Sequence, residues 1–379
     1  MSPRPTKHFT PLSNWINDPN GLIFHEGFYH LFFQHNPFEN KWGHMSWGHA
    51  RSKDLIKWEE LPVAIPEQSD HAIFSGCTVF DAANNRLVAI YTGAAKSNQS
   101  QYLAYSYDGG VTWQEIQKVL DLNMENFRDP KVIRFQEKWI MAVAKSNEYK
   151  ISFFESLDLL NWNFLSDFHA PEIQDIYECP DLFELDGSWV LIISSNPGNP
   201  LGGSTSRYFV GDFDGKEFKP KGSVKFFDLG PDNYAVVTFY GTAEKIAIGW
   251  MNNWHYANEV KREIWNGSIT AARKLRISNG KLSQSFIGES KFFNVDSDVF
   301  QFNYQNGALK FRVVGDKLEI DRSELWDATI ARFQVPISGP FEIEALFDAG
   351  SIEMFINGDS VTILLLVGSE TPELSVGPA

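Results

Sequence analysis

The chain has 379 residues, enough for a large core and for more than one domain. It is 43% hydrophobic and 21% charged, far from the composition of a disordered chain. A net charge of −15, a pI near 5.1 and no run of five Lys or Arg speak against nucleic acid or anionic membrane as a partner, and for a neutral or cationic ligand.

In chain order, the N-terminal MSPRPTKHFT lacks the apolar stretch of a secretion signal, and no run of 18 apolar residues follows anywhere. The expectation is a chain that neither spans a membrane nor carries a leader. Two cysteines, Cys77 and Cys179, are too few for a disulfide framework; each reads as a free thiol, a single bridge between them stays open, and cytoplasmic residence is expected.

Helical periodicity is almost absent, and short alternating runs bounded by Gly, Asn and Asp read as all-β. A segment of one kind recurs as GFYHLFFQH (27–35), NRLVAIYTG (85–93), EKWIMAVAK (137–145), GSWVLIISS (187–195) and EKIAIGWMN (244–252), the starts 58, 52, 50 and 57 residues apart. A second signal follows the first four: SKDLIKW (52–58), SYDGGVTW (106–113), SLDLLNW (156–162) and GDFDGKEF (211–218) share an Asp, a turn and an aromatic; ISNGKL (277–282) is a degenerate fifth. A period near 50 residues with about four strands per unit is the mark of a propeller blade. Evenly spaced hairpins of an ordinary sandwich are the bland alternative, but two signals keep one phase over four units. The fold expected is a five-bladed β-propeller over residues 1–280, with the repeats from about residue 8. Beyond it, GALKFRVVGDKLEI (307–320), FEIEALFDAGSIEMFING (341–358) and SVTILLLV (360–367) read as an antiparallel β-sandwich over 285–379, ending in a frayed GSETPELSVGPA.

Upstream of each recurring segment lies the strand that lines a propeller's channel: INDPNGLIF, FSGCTVF, FRDPKVIRF, YECPDLFEL and DNYAVVTF. Asp18, Asp129 and Glu178 lie 11, 10 and 11 residues before the aromatic of their segments, so three acids converge on the axis from near-equivalent positions. Any one of them reads as a turn or hub acid bonding backbone; three in register favour chemistry. Glycoside hydrolysis needs two carboxyl groups flanking one bond, one of them kept protonated by crowding and burial. Arg128 is placed to hold Asp129 ionised, and Trp15, Trp42, Phe74, Trp250 and Trp254 to offer faces on which sugars stack. His44 and His49 have no third partner at metal-ligand spacing, so no metal is expected. SYDGGVTW fits the Asp-box turn of blade peripheries. A sialidase would need an arginine cluster and a nucleophilic Tyr in phase with the repeat.

WINDPNG (15–21), FRDP (127–130) and ECPDLF (178–183), in that order, resemble the signature acids of glycoside hydrolase family 32, the β-fructofuranosidases. HLFFQHNP, WGHMSWGHARSKDLIKWEELP, FSG (74–76), NPGNPLGGSTSRYFVGDFDG, IGWMNNWHYAN and LFDAGSIEMFING extend the resemblance over nearly the whole chain, nearer the exo-inulinase, levanase and yeast-type invertase branch than the phosphosucrose hydrolases. The resemblance implies Asp18 as nucleophile, Glu178 as acid/base and Asp129 as transition-state stabiliser. It implies a fructose subsite lined by Asn17, Gln34, Trp42, Phe74, Ser75 and Arg128, with Trp250 or Trp254 near its mouth. It implies retention, with the Asp18 and Glu178 carboxyls about 5–5.5 Å apart. The expected ligands are sucrose and short fructo-oligosaccharides, with no metal or organic cofactor. Fructosyl transfer by the same triad and a non-catalytic sugar-binding propeller are the alternatives. An exposed propeller or sandwich edge leaves homo-oligomerisation open.

Overall fold

The computed structural model describes residues 3–260, 264–326 and 329–377. The recurring segments form the second strands of five sheets: Phe28–Asn36, Arg86–Ala94, Lys138–Lys145, Ser188–Ser195 and Ile246–Trp250. Their apolar runs are continuous, not alternating, because these strands are covered on both faces. Leu31, Phe32 and Phe33, for example, are all fully buried.

Each second strand pairs antiparallel with the strand before it. The inner strands are Asn14–His25, Ala72–Asp81, Phe127–Phe135, Tyr177–Leu185 and Tyr234–Thr238. Two further strands complete each sheet outward, and the five inner strands touch one another in sequence around a closed ring. The apolar core is therefore divided into layers between neighbouring blades. Phe153, Leu191 and Phe209 fill the layer between blades three and four; Phe33, Phe239 and Ile248 fill that between blades one and five.

The outer turns carry the second repeat. In blade two the Asp108 carboxylate accepts the N–H groups of Val111 and Thr112 and the hydroxyls of Ser106 and Thr112, while Trp113 Nε1 donates to the Gly110 carbonyl. Asp54, Asp158 and Asp214 accept backbone N–H groups of their own turns in blades one, three and four.

The ring closes where Asn14 and Trp15 pair in parallel with Trp265 and Asn266, and where Phe24 N–H donates to the Tyr240 carbonyl. Past Phe286 the chain enters two face-to-face sheets. One holds Lys291–Val295, Phe341–Asp348, Ser351–Ile356 and Asp359–Leu364. The other holds Val299–Tyr304, Gly307–Val314, Lys317–Asp321, Arg332–Val335 and Glu373–Val376. The segment expected to fray therefore supplies an edge strand: Glu373–Val376 pairs with Phe300–Asn303, and its last two residues lie outside the described ones. Its alternation of Leu374 and Val376 with polar neighbours is too short to stand out from loop composition. No helix among the described residues is long and apolar enough to cross a membrane.

Candidate active site

Each inner strand begins with the same irregularity. Ile16 to Pro19 span three steps where the partner strand spans two, and the same holds for Ile73–Gly76, Arg128–Lys131, Glu178–Asp181 and Tyr234–Val237. One extra residue in a strand is a bulge, which turns side chains out of the pleat and toward the axis. Asp129 (φ 65°), Cys179 (φ 45°) and Ala235 (φ 52°) are held in the left-handed region within three of these bulges, the kind of local strain that concentrates at functional sites. The acids occupy successive, not identical, bulge positions: Glu178 stands just before its bulge, Asp129 first within, Asp18 second within.

The bulges and the loops above them enclose a cavity of about 280 Å³, at the low end for ligand pockets. Asn17, Asp18, Gln34, Trp42, Phe74, Ser75, Arg128, Asp129, Glu178 and Trp254 all line it. Trp15 and Trp250 do not, contrary to expectation. Both are fully buried behind Trp254, whose ring lies 5.9 Å from that of Trp15 and 4.8 Å from that of Trp250. Trp15 is fixed there by its Nε1–H donating to Asn17 Oδ1 at 2.7 Å, so it supports the wall from behind.

Asp18 Oδ2 accepts from Ser75 Oγ at 3.0 Å and from the Cys179 thiol at 3.6 Å. Burial lifts this carboxyl to about 6, against the pull of Asn17, Ser75 and Cys179, and the charge of Glu178 adds to the rise. Asp129 Oδ2 accepts the Cys179 backbone N–H at 2.9 Å, and burial pushes Asp129 to about 7. Arg128 favours ionised Asp129 as expected, with Nε 3.9 Å from Asp129 Oδ2, but burial outweighs it, and its closer carboxylate is Glu178, to whose Oε1 Nη2 donates at 3.0 Å. Glu178 Oε2 accepts the hydroxyl of Tyr234. Both oxygens of Glu178 are thus oriented, one by a guanidinium and one by a phenol.

Tyr234, Asn196 and Asn258 also line the cavity and were not anticipated. For Tyr234 a signal existed: in DNYAVVTF it holds the place before the bulge that Arg128 and Glu178 hold in the two preceding blades. Asn196 and Asn258 come from loops outside the repeat and had none. His44 pairs with Glu67 at 2.9 Å, and His49 stacks in the interior with His30. No group of three or more His, Cys, Asp or Glu among the described residues is arranged to hold a metal. Both cysteines are buried free thiols.

The profile of the glycosyl hydrolases family 32 N-terminal domain matches residues 8–285. The chain belongs to family 32. It is 43% identical over 299 residues to an invertase of Debaryomyces hansenii, covering 72% of this chain and 56% of that protein. It is 40% identical over 304 residues to a levanase of Bacillus subtilis, covering 72% and 45%. The chain thus spans about half the length of these relatives. Among solved structures, the exo-inulinase of Aspergillus awamori superposes with a TM-score of 0.88 at 27% identity, covering 100% of this chain and 96% of that one. The β-fructofuranosidase of Schwanniomyces occidentalis, in complex with fructosyl-erythritol, gives 0.87 at 29%, covering 99% of this chain. This family 32 chain is therefore an all-β protein of the same architecture.

Proposed function

We propose that the protein is a retaining, exo-acting β-fructofuranosidase that removes terminal fructosyl units from sucrose and short fructo-oligosaccharides. The convergence of Asp18, Asp129 and Glu178 in one small pocket carries this reading. Asp18 attacks the anomeric carbon of the fructosyl unit as the bond to the leaving oxygen breaks. Glu178 gives that oxygen its proton, then takes a proton from the water that releases fructose from Asp18. Asp129 bonds fructosyl hydroxyls as positive charge develops on the ring. Two buried polar atoms of the pocket, Asp18 Oδ1 and Gln34 Nε2, have no protein partner, which suits a ligand rich in hydroxyls. Trp42, 47% exposed, stands at the rim with Asn258 and offers an aromatic edge to the leaving sugar.

The names of the relatives, invertase, exo-inulinase and levanase, support a fructosyl substrate and differ in which one. The test is fructose release from sucrose, kestose, inulin and levan by the wild type and by Asp18→Ala. Near wild-type turnover in the folded variant sinks the assignment. Products richer in oligosaccharide than in free fructose at high sucrose identify a transferase, and sugar binding without turnover a non-catalytic propeller.

A further inference from the structure

We propose that Lys131 and Asp181, a buried ion pair directly beneath the acids, form a positioning clamp that sets Asp129 against Glu178. The proposal rests on the fructosidase reading above. Lys131 and Asp181 hold one and the same place in their blades. Each is the first residue to rejoin its partner strand after the bulge, opposite Ala142 and Ile192 respectively. Lys131 follows Asp129 by two residues, and Asp181 follows Glu178 by three.

Lys131 Nζ lies 2.9 Å from Asp181 Oδ1 and donates to the Thr238 carbonyl at 2.9 Å; the Thr238 N–H donates to Asp181 Oδ2. Three inner strands, of blades three, four and five, are thus tied at one level. Just above the bulges, Arg128, Glu178 and Tyr234 tie the same three blades at a second level. Asp129 and Cys179 are held between the two tiers, joined by the Cys179 N–H to Asp129 bond.

Stability alone does not call for this pair. Lys131 is 8% exposed and Asp181 not at all, and well-packed apolar residues replace such pairs with little loss of stability. This pair does what apolar packing does not: the charges meet across two blades while Lys131 and Asp181 are each hydrogen-bonded to the Thr238 backbone, which ties the three strands at one register. The bulge residues have no partner-strand pairing, and the clamp holds the first residues that rejoin the ladder, two beyond Asp129 and three beyond Glu178.

The test compares the wild type with Lys131→Met/Asp181→Asn, which removes both charges yet keeps an acceptor for the Thr238 N–H. Asp181→Asn alone and Lys131→Arg complete the set. The double variant is expected to fold, with kcat on sucrose down about 10–100-fold, in line with the effect of misplacing reacting groups by an ångström or less. KM is expected to stay within about twofold, because Asn17, Gln34, Trp42, Phe74 and Ser75 of the pocket wall are untouched and the Asp129 contact is assigned to the transition state. Lys131→Arg, which keeps the charge, is expected to keep most of the wild-type kcat. A folded double variant with wild-type kcat overturns the proposal, as does a loss confined to KM. A loss that disappears when rates are expressed per folded molecule overturns it too. Should the double variant not fold, Asp181→Asn alone is judged by the same criteria. A wild type that releases no fructose from any of the four substrates refutes the function itself, an outcome distinct from these.

Discussion

Asp18 sits where its own charge is disfavoured. In the proposed reaction this carboxyl, lifted to about 6 by burial, attacks in its ionised form, so kcat/KM should fall tenfold per pH unit below about 6. A rate–pH profile on sucrose checks this. The same shift has a consequence for stability. A carboxyl raised in the folded state binds protons that the unfolded chain has already lost, so its ionisation lowers stability as pH rises from about 4 through 6. Asp18→Asn removes that penalty. It should raise stability at pH 7 by about 1–2 kcal/mol, allowing for contact with cavity water, and leave it unchanged at pH 4. Thermal melts at the two pH values decide it. Activity should meanwhile fall by roughly 10³-fold or more, since in the proposed reaction no other group replaces Asp18 as nucleophile. At this scale the sequence reading was strongest, because acids in phase with a repeat can be counted. It failed where depth matters: Trp250 and Trp254 are equally good candidates for a stacking face in the sequence, and only the fold shows that Trp254 stands in front of Trp250.

Among the elements, the outer turn and the inner bulge divide stability from function. Asp108 accepts four hydrogen bonds within a turn at the blade's periphery. Asp108→Ala should lower stability by about 1–2 kcal/mol, measured by urea unfolding, with kcat unchanged. Gly76 is the reverse case. A Cβ there would lie 2.1 Å from the Ile90 carbonyl oxygen, across the bulge that carries Phe74 and Ser75. Gly76→Ala should destabilise by about 2–4 kcal/mol and displace Ser75 from Asp18, whereas Gly27→Ala, with no atom within 4 Å, should meet only its backbone strain. Comparison of melting midpoints and of KM in the two variants tests the contrast. The repeat made the blades legible, because each hairpin is local in sequence. The bulges were not legible as such: in strands buried on both faces there is no alternation for one extra residue to break, and only the partner strand reveals it.

For the whole molecule, the joint between propeller and sandwich is built from buried charge. His8 lies between Asp348 and Glu353, at 2.9 and 2.7 Å; Glu353 also meets Arg273, which reaches Asp228, and Arg322 pairs with Asp232. None of these pairs was visible in the sequence, since their members lie 45 to 345 residues apart and follow no period. Burial works against the imidazolium of His8, but the two carboxylates outweigh it and raise it to about 9. A raised base stabilises the folded state fully below its unfolded value, about 6.5, and ceases to do so as pH rises through 9. Asp348 is lowered, so its share is lost in acid instead. The melting temperature should therefore decline between pH 6.5 and 9.5 in the wild type, and His8→Gln should flatten that decline while lowering stability at pH 6.

The closing contact of the ring also bears on how the protein is made. Asn14 and Trp15, at the head of the strand that carries Asp18, take their parallel partners from Trp265 and Asn266. A ribosome has released Asp18 long before it produces the residues that secure the head of its strand. Until then blade one presents an unpaired edge to its surroundings, the condition that chaperones recognise in a growing chain. Competence for chemistry is in this way tied to completion of the fifth blade. A fragment cut from the front half, however well its hairpins fold, would hold Asp18 on an open border and not in a pocket.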